Sequence, residues 1–241
     1  MKKMVFLIIF LVVGTVCFAQ RGFYAAGGTG WALNKFSLDP TDLNKQNKTN
    51  GSKFNLATDF KLYDLPLTLE LGGYFMEYVG MGLSTQWNVN LAVATNLDEY
   101  AMKVKWFNPH MFLFVFGNIP VGSYVQLNIG VGPMLAFYKG SVGNYPGYPS
   151  YSLKGQSVGV AGRFSVDIMT YSGLYFSFAT TAGISATKRA KLEVSYDELA
   201  DGTSYAGSKA GSKLVPNFGF SKSLYIAPTL LIGYKFGYYY E

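Results

Sequence analysis

The sequence predicts an all-β protein, an eight-stranded antiparallel up-and-down transmembrane β-barrel, and three observations carry this prediction. Apolar residues recur at every second position along long segments, as expected when one strand face meets lipid and the other a polar lumen. The chain has 28 glycines, 17% aromatic and only 14% charged residues, a composition atypical of a soluble domain. Connections between the segments alternate in length. The clearest apolar face is Val125, Leu127, Ile129, Val131, Pro133, Leu135 and Phe137, between which lie Gln126, Asn128, Gly130, Gly132, Met134 and Ala136.

Residues 1–19 are predicted to be a cleaved secretory signal peptide, which leaves one barrel domain over residues 20–241. Two lysines precede an apolar core over residues 5–13, and a small-x-small cleavage site ends at Ala19. A transmembrane helix is disfavoured because the apolar run is shorter than the ~20 residues that a span needs. A lipoprotein anchored at Cys17 is disfavoured by its poor lipidation motif. Cleavage lowers the net charge from +6 to +4 and removes the only cysteine, which excludes disulfide and thiol chemistry.

Eight strands follow in order along the chain. They are predicted over residues 22–36, 60–76, 80–95, 101–118, 123–139, 155–170, 174–193 and 222–239. Short connections at 77–79, 119–122 and 171–173 alternate with longer ones at 37–59, 96–100, 140–154 and 194–221. In bacterial outer-membrane barrels the short turns face the periplasm and the long loops face outside. The second strand is the least regular, and residues 53–65 are also compatible with a separate hairpin arm.

The alternation assigns a lipid face to each strand. Its predicted members include Leu67, Leu69, Leu71, Leu83, Trp87, Val89, Leu91, Phe107, Met111, Leu113, Val115, Leu230, Ile232, Tyr234 and Phe236. Three prolines, Pro109, Pro133 and Pro228, share this face, where proline requires a bulge or a missing ladder bond. Aromatic residues gather near the strand ends, as in interfacial girdles. The outer girdle is predicted at Trp31, Phe36, Trp106 and Phe137, and the periplasmic one at Phe75, Tyr78, Tyr124, Tyr171, Tyr238 and Tyr239.

From Gly22 to Tyr239 the chain resembles the small outer-membrane β-barrels of the OmpA, OmpX and OmpW type. The resemblance rests on the phased connections, on segments such as GVGPMLAFYKG and GGYF, and on the last strand YIAPTLLIGYKFGYYY. It implies a C-terminal strand recognised by the outer-membrane assembly machinery, whose pattern is a glycine followed by outward aromatic residues. Gly233, Phe236 and Tyr238 match that assembly signal. Many family members stop at a terminal phenylalanine, whereas this chain continues through Tyr239-Tyr240-Glu241.

Four charged residues fall on the predicted lumen face at membrane depth: Glu70, Arg163, Asp167 and Lys235. An eight-stranded barrel is just wide enough for side chains to fill it, and an isolated buried charge is costly. We therefore expect Glu70 to pair with Arg163, and Asp167 with Lys235. The expected neutral partners are Gln86, Asn88, Asn90, Gln126 and Asn128. We interpret this lumen polar network as a satisfied polar core, with a gate or proton-conducting plug as the alternative.

The sequence predicts no catalytic, cofactor or metal site. The only histidine, His110, is predicted to point into the lumen beside Phe112 and Phe114, and no serine or carboxylate stands at a spacing diagnostic of a hydrolytic triad. A single histidine without a mature cysteine leaves carboxylates alone to hold a metal. The Gly27–Gly30 run, GGTG, lacks the Lys-Ser/Thr of a phosphate-binding loop.

The outer loops carry the remaining hypotheses. Basic residues flank or occupy the first and last loops, where they would meet the phosphates of anionic outer-membrane glycolipids: Lys35, Lys45, Lys48, Lys53, Lys188, Arg189, Lys191, Lys209, Lys213 and Lys222. The loop segment SVGNYPGYPSYS has the composition of a recognition surface for a host or surface ligand. Nucleic-acid binding is not supported, because the positive charge is modest. The sequence thus predicts a non-enzymatic structural or surface-interaction protein of the outer membrane. The alternatives are a narrow pore, a lateral-diffusion transporter for small hydrophobic molecules, and an outer-leaflet lipid-modifying enzyme.

Overall fold

The structure, a computed structural model, describes residues 22–38, 59–95, 104–142, 150–196 and 211–237, so the predicted signal peptide lies outside the described residues. These ranges contain nine strands: β1 Phe23–Gly30, β2 Ala32–Leu38, β3 Asp59–Tyr74, β4 Val79–Thr95, β5 Val104–Pro120, β6 Val125–Val142, β7 Ser150–Met169, β8 Leu174–Tyr196 and β9 Gly211–Phe236. Within the same ranges, no helix has the length and apolarity needed to cross a bilayer.

The strands close into one antiparallel barrel. Both β1 and β2 pair with β3 on one side and with β9 on the other, so they form a single barrel strand interrupted at Trp31. From β3 to β9 each strand pairs with the next, and the pairing of Phe23 with Phe236 closes the cylinder. The predicted eight-stranded up-and-down barrel is confirmed. The second barrel strand begins at Asp59, so residues 59–65 belong to the barrel wall and the alternative of a separate hairpin arm is wrong for them; residues 53–58 lie outside the described residues.

Side chains alternate between a buried interior and an exposed apolar exterior. On β6, Gln126 and Asn128 are buried, whereas Ile129 and Val131 are 56% and 64% exposed. The predicted lipid face is likewise exposed at Leu67, Leu69, Leu71, Val89, Leu91, Phe107, Val115, Leu230, Ile232, Tyr234 and Phe236. Trp87, Met111 and Leu113 are only partly exposed. Leu83, with cross-strand neighbours Leu71 and Leu113, is buried at 7% exposure. A closed barrel with so apolar an exterior belongs in lipid.

Three short turns, over residues 75–78, 121–124 and 170–173, lie at one end of the barrel, called here the turn end. Gly122 and Gly173 have φ values of 79° and 88°, which glycine adopts without strain. At the opposite end, called the loop end, strands extend further than predicted. The predicted connections 140–154 and 194–221 are too long: β6 and β7 continue to Val142 and from Ser150, and β8 and β9 to Tyr196 and from Gly211. Once the register between two strands is set, their backbones can continue to pair where the sequence has no alternating apolar pattern.

Four prolines lie where the hydrogen-bonded ladder to one neighbouring strand is interrupted: Pro109, Pro133 and Pro228 face outward, as predicted, whereas Pro66 is buried on the lumen face. Pro109 and Pro133 fall in two unpaired stretches between β5 and β6. Pro228 on β9 and Pro66 on β3 border the break at Trp31 from its two sides, and the Trp31 N–H donates to Pro228 O at 3.0 Å. Because proline has no N–H to donate, the gaps place these residues where no ladder bond is lost.

Aromatic residues mark both ends of the apolar band, as interfacial girdles do. At the turn end Tyr124 and Tyr171 are exposed and pack edge-on against each other. At the loop end Trp31 is 43% exposed. The side chains of Phe36 and Trp106, and all of Tyr238 and Tyr239, lie outside the part of the chain that is described.

Candidate functional site in the barrel lumen

The turn-end half of the lumen contains the four charged residues named from the sequence. Glu70 on β3 and Arg163 on β7 meet across the lumen, with Arg163 Nη2 3.1 Å from Glu70 Oε2. The Tyr24 hydroxyl donates to the other oxygen of Glu70 at 3.0 Å, and Arg163 Nη1 donates to Ser165 Oγ at 3.0 Å. The side chains of Glu70 and Arg163 are only 3% and 9% exposed, so each charge depends on the other for its neutralisation.

A second ion pair lies nearer the short turns. Lys235 Nζ donates to Asp167 Oδ2 at 3.2 Å and to Gln126 Oε1 at 2.6 Å. Asn128 Nδ2 donates to the same Asp167 oxygen at 2.9 Å. Gln126 and Asn128 therefore complete the shell of this pair, which a buried ammonium and carboxylate both require.

Aromatic rings pack around the two ion pairs. Tyr24 lies 6.0 Å from both Tyr74 and Phe116, measured between ring centroids. Lys235 Nζ lies 5.0 Å from the Tyr175 centroid and 5.4 Å from that of Tyr74, within cation–π range. The rings fill the space that the charged groups leave, so this half of the lumen is packed.

A layer of apolar side chains fills the middle of the lumen. Phe112, Phe114 and Met134 are at most 2% exposed, and the two phenyl rings stack with centroids 5.7 Å apart. Tyr225 and three alanines on other strands, Ala32, Ala161 and Ala227, complete the cluster, and Tyr225 stacks on Phe112 at 5.8 Å between ring centroids. Small residues on the facing wall leave room for the large rings, so the layer spans the lumen and separates its two halves.

Beyond this layer, towards the loop end, lies a polar cluster around His110. The Nδ1 atom of His110 lies 2.7 Å from Asn88 Nδ2 and 3.0 Å from Asn108 O, and its ring stacks on Tyr225 at 4.2 Å between centroids. The Tyr225 hydroxyl contacts Gln86 Oε1 at 2.6 Å and Asn88 Oδ1 at 3.1 Å. Gln86 and Asn88 were expected beside the charged residues. That expectation is wrong, because their hydrogen bonds go to Asn108, His110 and Tyr225 and not to the ion pairs.

The sequence pattern did not single out two buried residues of this half, Asn34 on β2 and Asp64 on β3. Asp64 Oδ1 accepts a hydrogen bond from Asn90 Nδ2 at 2.9 Å, so Asn90 also lies away from the ion pairs. Asn34 pairs in register with Tyr225. Asp64 was predictable from its position, because an even number of positions separates it from Glu70 and the two residues therefore lie on the same face of the strand. The loose apolar pattern of residues 53–65 obscured it.

Hydroxyl groups line the neighbouring wall of the loop-end half. Ser157 Oγ lies 2.8 Å from Ser185 Oγ, Ser185 contacts Ser223, and the Tyr138 hydroxyl donates to Ser223 Oγ at 3.1 Å. The loop-end half of the lumen therefore presents amides and hydroxyls, whereas the turn-end half presents paired charges.

Neither half carries a metal or triad geometry within the described ranges. No three His, Cys, Asp or Glu side chains there are grouped as metal ligands. The contacts of His110 in those ranges are amides, a carbonyl oxygen and aromatic rings. A hydrolytic histidine needs a carboxylate or its equivalent to orient it and a nucleophile within reach.

The residues of the predicted assembly signal follow β9 to its end. An added Cβ at Gly233 would lie 2.5 Å from the Tyr175 ring, so glycine at this position lets that ring lie flat against the wall. Phe236 is exposed and stacks on Phe23 with ring centroids 4.3 Å apart. Tyr238 lies outside the described residues.

Comparison with known proteins identifies the fold. No family model and no curated protein sequence matches the chain. Among solved structures, the chain is similar to the outer membrane protein OprG from Pseudomonas aeruginosa, with a TM-score of 0.56 and 17% identity over 90% of this chain and 96% of that one. It is also similar to a major outer membrane protein from Thermus thermophilus, with a TM-score of 0.51 and 11% identity over 88% and 99% of the two chains. Together with the apolar exterior, this likeness gives the chain the fold of a bacterial outer-membrane β-barrel.

Proposed function

We propose that this outer-membrane barrel is a non-conducting protein that acts through its loop end, in a structural or surface-interaction role. The observation that carries the proposal is the filled lumen. Two buried ion pairs cross its turn-end half, and the layer of Phe112, Phe114 and Met134 closes its middle. Eight strands leave an interior just wide enough for side chains, whereas aqueous channels need more strands. A hydrated ion would have to displace both layers.

Single-channel conductance tests this proposal. The refolded protein, shown to be folded by heat-modifiable gel mobility, should give a silent planar bilayer. A larger outer-membrane porin with an aqueous channel, measured in the same bilayer, verifies that the assay detects an opening. Stepwise conductance by the wild-type protein would contradict the proposal and support the narrow-pore alternative.

We propose anionic glycolipid of the outer leaflet as one partner of the loop end. Lys35 and Lys61 are exposed on the outer face and form a direct cross-strand pair, and Lys139 is exposed on the same face of β6. Like charges directly opposite each other destabilise a strand pair, and a phosphate group between them would relieve the repulsion. Lipid phosphates at the membrane surface would supply that group.

Binding of purified lipid A tests this partner. The double variant Lys35→Gln, Lys61→Gln should bind lipid A more weakly than the wild-type protein, and added salt should narrow the difference. The matched control is the double variant Lys35→Arg, Lys61→Arg, which keeps both charges and should bind lipid A like the wild-type protein. Unchanged lipid A binding in the double variant would exclude this surface.

A lateral route for small hydrophobic molecules is the second candidate, and one observation favours it. The hydrogen-bonded ladder of the wall is interrupted at Trp31, between Pro66 and Pro228. On the Pro228 side, the Trp31 N–H donates to Pro228 O across the interruption. Replacing Pro66 and Pro228 by valine restores two ladder donors and should slow uptake of a hydrophobic fluorescent probe into loaded vesicles. Equal uptake by the variant and the wild-type protein would argue against this route.

We propose no enzymatic role. The His110 contacts in the described ranges include no carboxylate that would orient the imidazole. If the barrel modified lipids through this residue, a His110→Ala variant would abolish lipid turnover. We expect the wild-type protein and the variant to leave lipids equally intact.

A further inference from the structure

The loop-end half of the lumen holds buried polar atoms that no described residue satisfies. They belong to four residues: Asn34 Nδ2 and Oδ1, Asp64 Oδ2, Asn108 Nδ2 and Oδ1, and His110 Nε2. Each of these residues is at most 1% exposed. An unsatisfied buried polar group is costly, and six such atoms in one region point to a partner that is not part of the described chain.

Hydrogen bonds and strand register join these residues into one cluster, called here the loop-end cluster and defined as Asn34, Asp64, Asn88, Asn108, His110 and Tyr225. Asn88 contacts Asn108, His110 and Tyr225, at 2.7, 2.7 and 3.1 Å. The Asn108 side chain lies near the Asp64 carboxylate, and Asn34 is the cross-strand neighbour of Tyr225. The unsatisfied atoms therefore lie around a common region and not at scattered positions.

The charge of the cluster selects the chemistry of the partner. Asp64 is its only acidic member, and no Lys or Arg within the described ranges forms a salt bridge with it. One oxygen of this carboxylate is bonded to Asn90, and the other has no hydrogen bond of normal length although the Asn108 side chain lies near the carboxylate. An anion would be repelled, and a divalent metal would find one carboxylate where such sites use several charged oxygen ligands. A protonated amine needs one carboxylate and further acceptors, and the amide oxygens of Asn34 and Asn108 are such acceptors.

We propose that the loop-end cluster binds a small solute carrying a protonated primary amine, with its ammonium group at Asp64 Oδ2. The amide Nδ2 atoms of Asn34 and Asn108 would then donate to an acceptor on the same solute. The middle layer of Phe112 and Phe114 closes the route towards the turn end, so the solute enters and leaves at the loop end. The site goes beyond the proposed non-conducting role and does not depend on it.

Methylammonium is the direct probe. The refolded full chain in dodecyl maltoside, a detergent without an amine, is titrated with ¹³C-labelled methylammonium, and the line width of its methyl resonance is followed. We expect saturable broadening in the wild-type protein, and no displacement by an equal concentration of tetramethylammonium, which has no N–H to donate.

Variants localise the binding. Asp64→Asn preserves the shape of the side chain and removes its charge, and it should weaken methylammonium binding by at least about tenfold, as loss of a charge-assisted hydrogen bond does. Asn108→Asp adds a second carboxylate beside the first and should strengthen binding. The matched control is Ser177→Ala, which alters a buried, unsatisfied lumen hydroxyl in the turn-end half and should bind like the wild-type protein.

The results separate the proposal from its rival, in which ordered water alone satisfies the cluster. Linear, unsaturated broadening in the wild-type protein would overturn the proposal. So would equal affinity in Asp64→Asn, or displacement by tetramethylammonium. Heat-modifiable mobility of each variant shows that it is folded, and Asn108→Asp keeps the test decisive if Asp64→Asn does not fold.

Discussion

Reversal of the charge at position 163 tests whether the lumen network holds the barrel together. Arg163 and Glu70 lie on strands that are not neighbours in the sheet, and their 3.1 Å contact joins opposite walls of the lumen. The variant Arg163→Glu places two carboxylates at this contact in a region that water does not reach. We expect it to destabilise the folded barrel strongly.

The magnitude follows from the burial of the pair. Removing one partner of a buried ion pair costs about 3–5 kcal/mol, because the remaining charge is left uncompensated. Reversal adds repulsion between like charges, so the loss should reach at least the upper part of that range. The second variant, Glu70→Arg combined with Arg163→Glu, restores opposite charges and keeps the net charge of the lumen.

The neighbouring hydroxyls can serve the swapped pair. Ser165 accepts from Arg163 at present and can donate to a carboxylate, whereas Tyr24 donates to Glu70 and can accept from a guanidinium. We therefore expect the double variant to recover more than half of the stability that the single variant loses. The remainder reflects the different lengths of the two side chains.

The assay is urea unfolding of the refolded protein in lipid vesicles, followed by heat-modifiable gel mobility. Lys139→Glu, an exposed charge reversal, is the control and should change stability by no more than about 0.5 kcal/mol. A double variant no more stable than Arg163→Glu alone would refute the claim that this ion pair stabilises the barrel.

Two further predictions concern the wall. Lipid-facing Ile129→Lys should cost about 2–4 kcal/mol near the bilayer midplane, whereas lumen-facing Asn128→Ser should cost about 1 kcal/mol; equal losses in urea unfolding would show that the strand faces are misassigned. Gly233→Ala should cost about 1–3 kcal/mol, because its Cβ would lie 2.5 Å from the Tyr175 ring, whereas Gly162→Ala, with its nearest contact at 3.8 Å, should be nearly neutral. A stable Gly233→Ala variant would indicate that the ring moves freely.

The faces of the wall were predictable because each strand carries a period of two. That period is a property of neighbouring residues in one segment, and it needs no knowledge of the other strands. It placed Ile129 and Leu230 outside and Asn128 and His110 inside. The extended ends of β8 and β9 were missed for the complementary reason, because their sequence keeps no regular period of two, and the paired register there shifts at three places.

The gaps that accommodate the prolines in the wall could not be predicted from the sequence. The outward direction of Pro109, Pro133 and Pro228 followed from parity, yet the gaps that accommodate the prolines are gaps between two strands. Pro66 and Pro228 border the same interruption although 162 positions separate them in the chain. Closure of the barrel brings them together, because β1 and β2 pair with both β3 and β9. Only the paired register shows that one break accommodates both.

By itself, the sequence determined the strand count, the up-and-down order and the two faces of the wall, because local alternation and turn chemistry specify them. It also identified Glu70, Arg163, Asp167 and Lys235 as charged residues of the lumen, but not Asp64. Which side chains meet inside was decided by the tertiary structure, because closure and strand stagger set the heights at which opposite walls face each other. Thus Glu70 reaches Arg163, and Gln86 and Asn88 bond to Tyr225 and not to the ion pairs. Asn34, Asp64 and Asn108 lie near His110 with polar atoms unsatisfied.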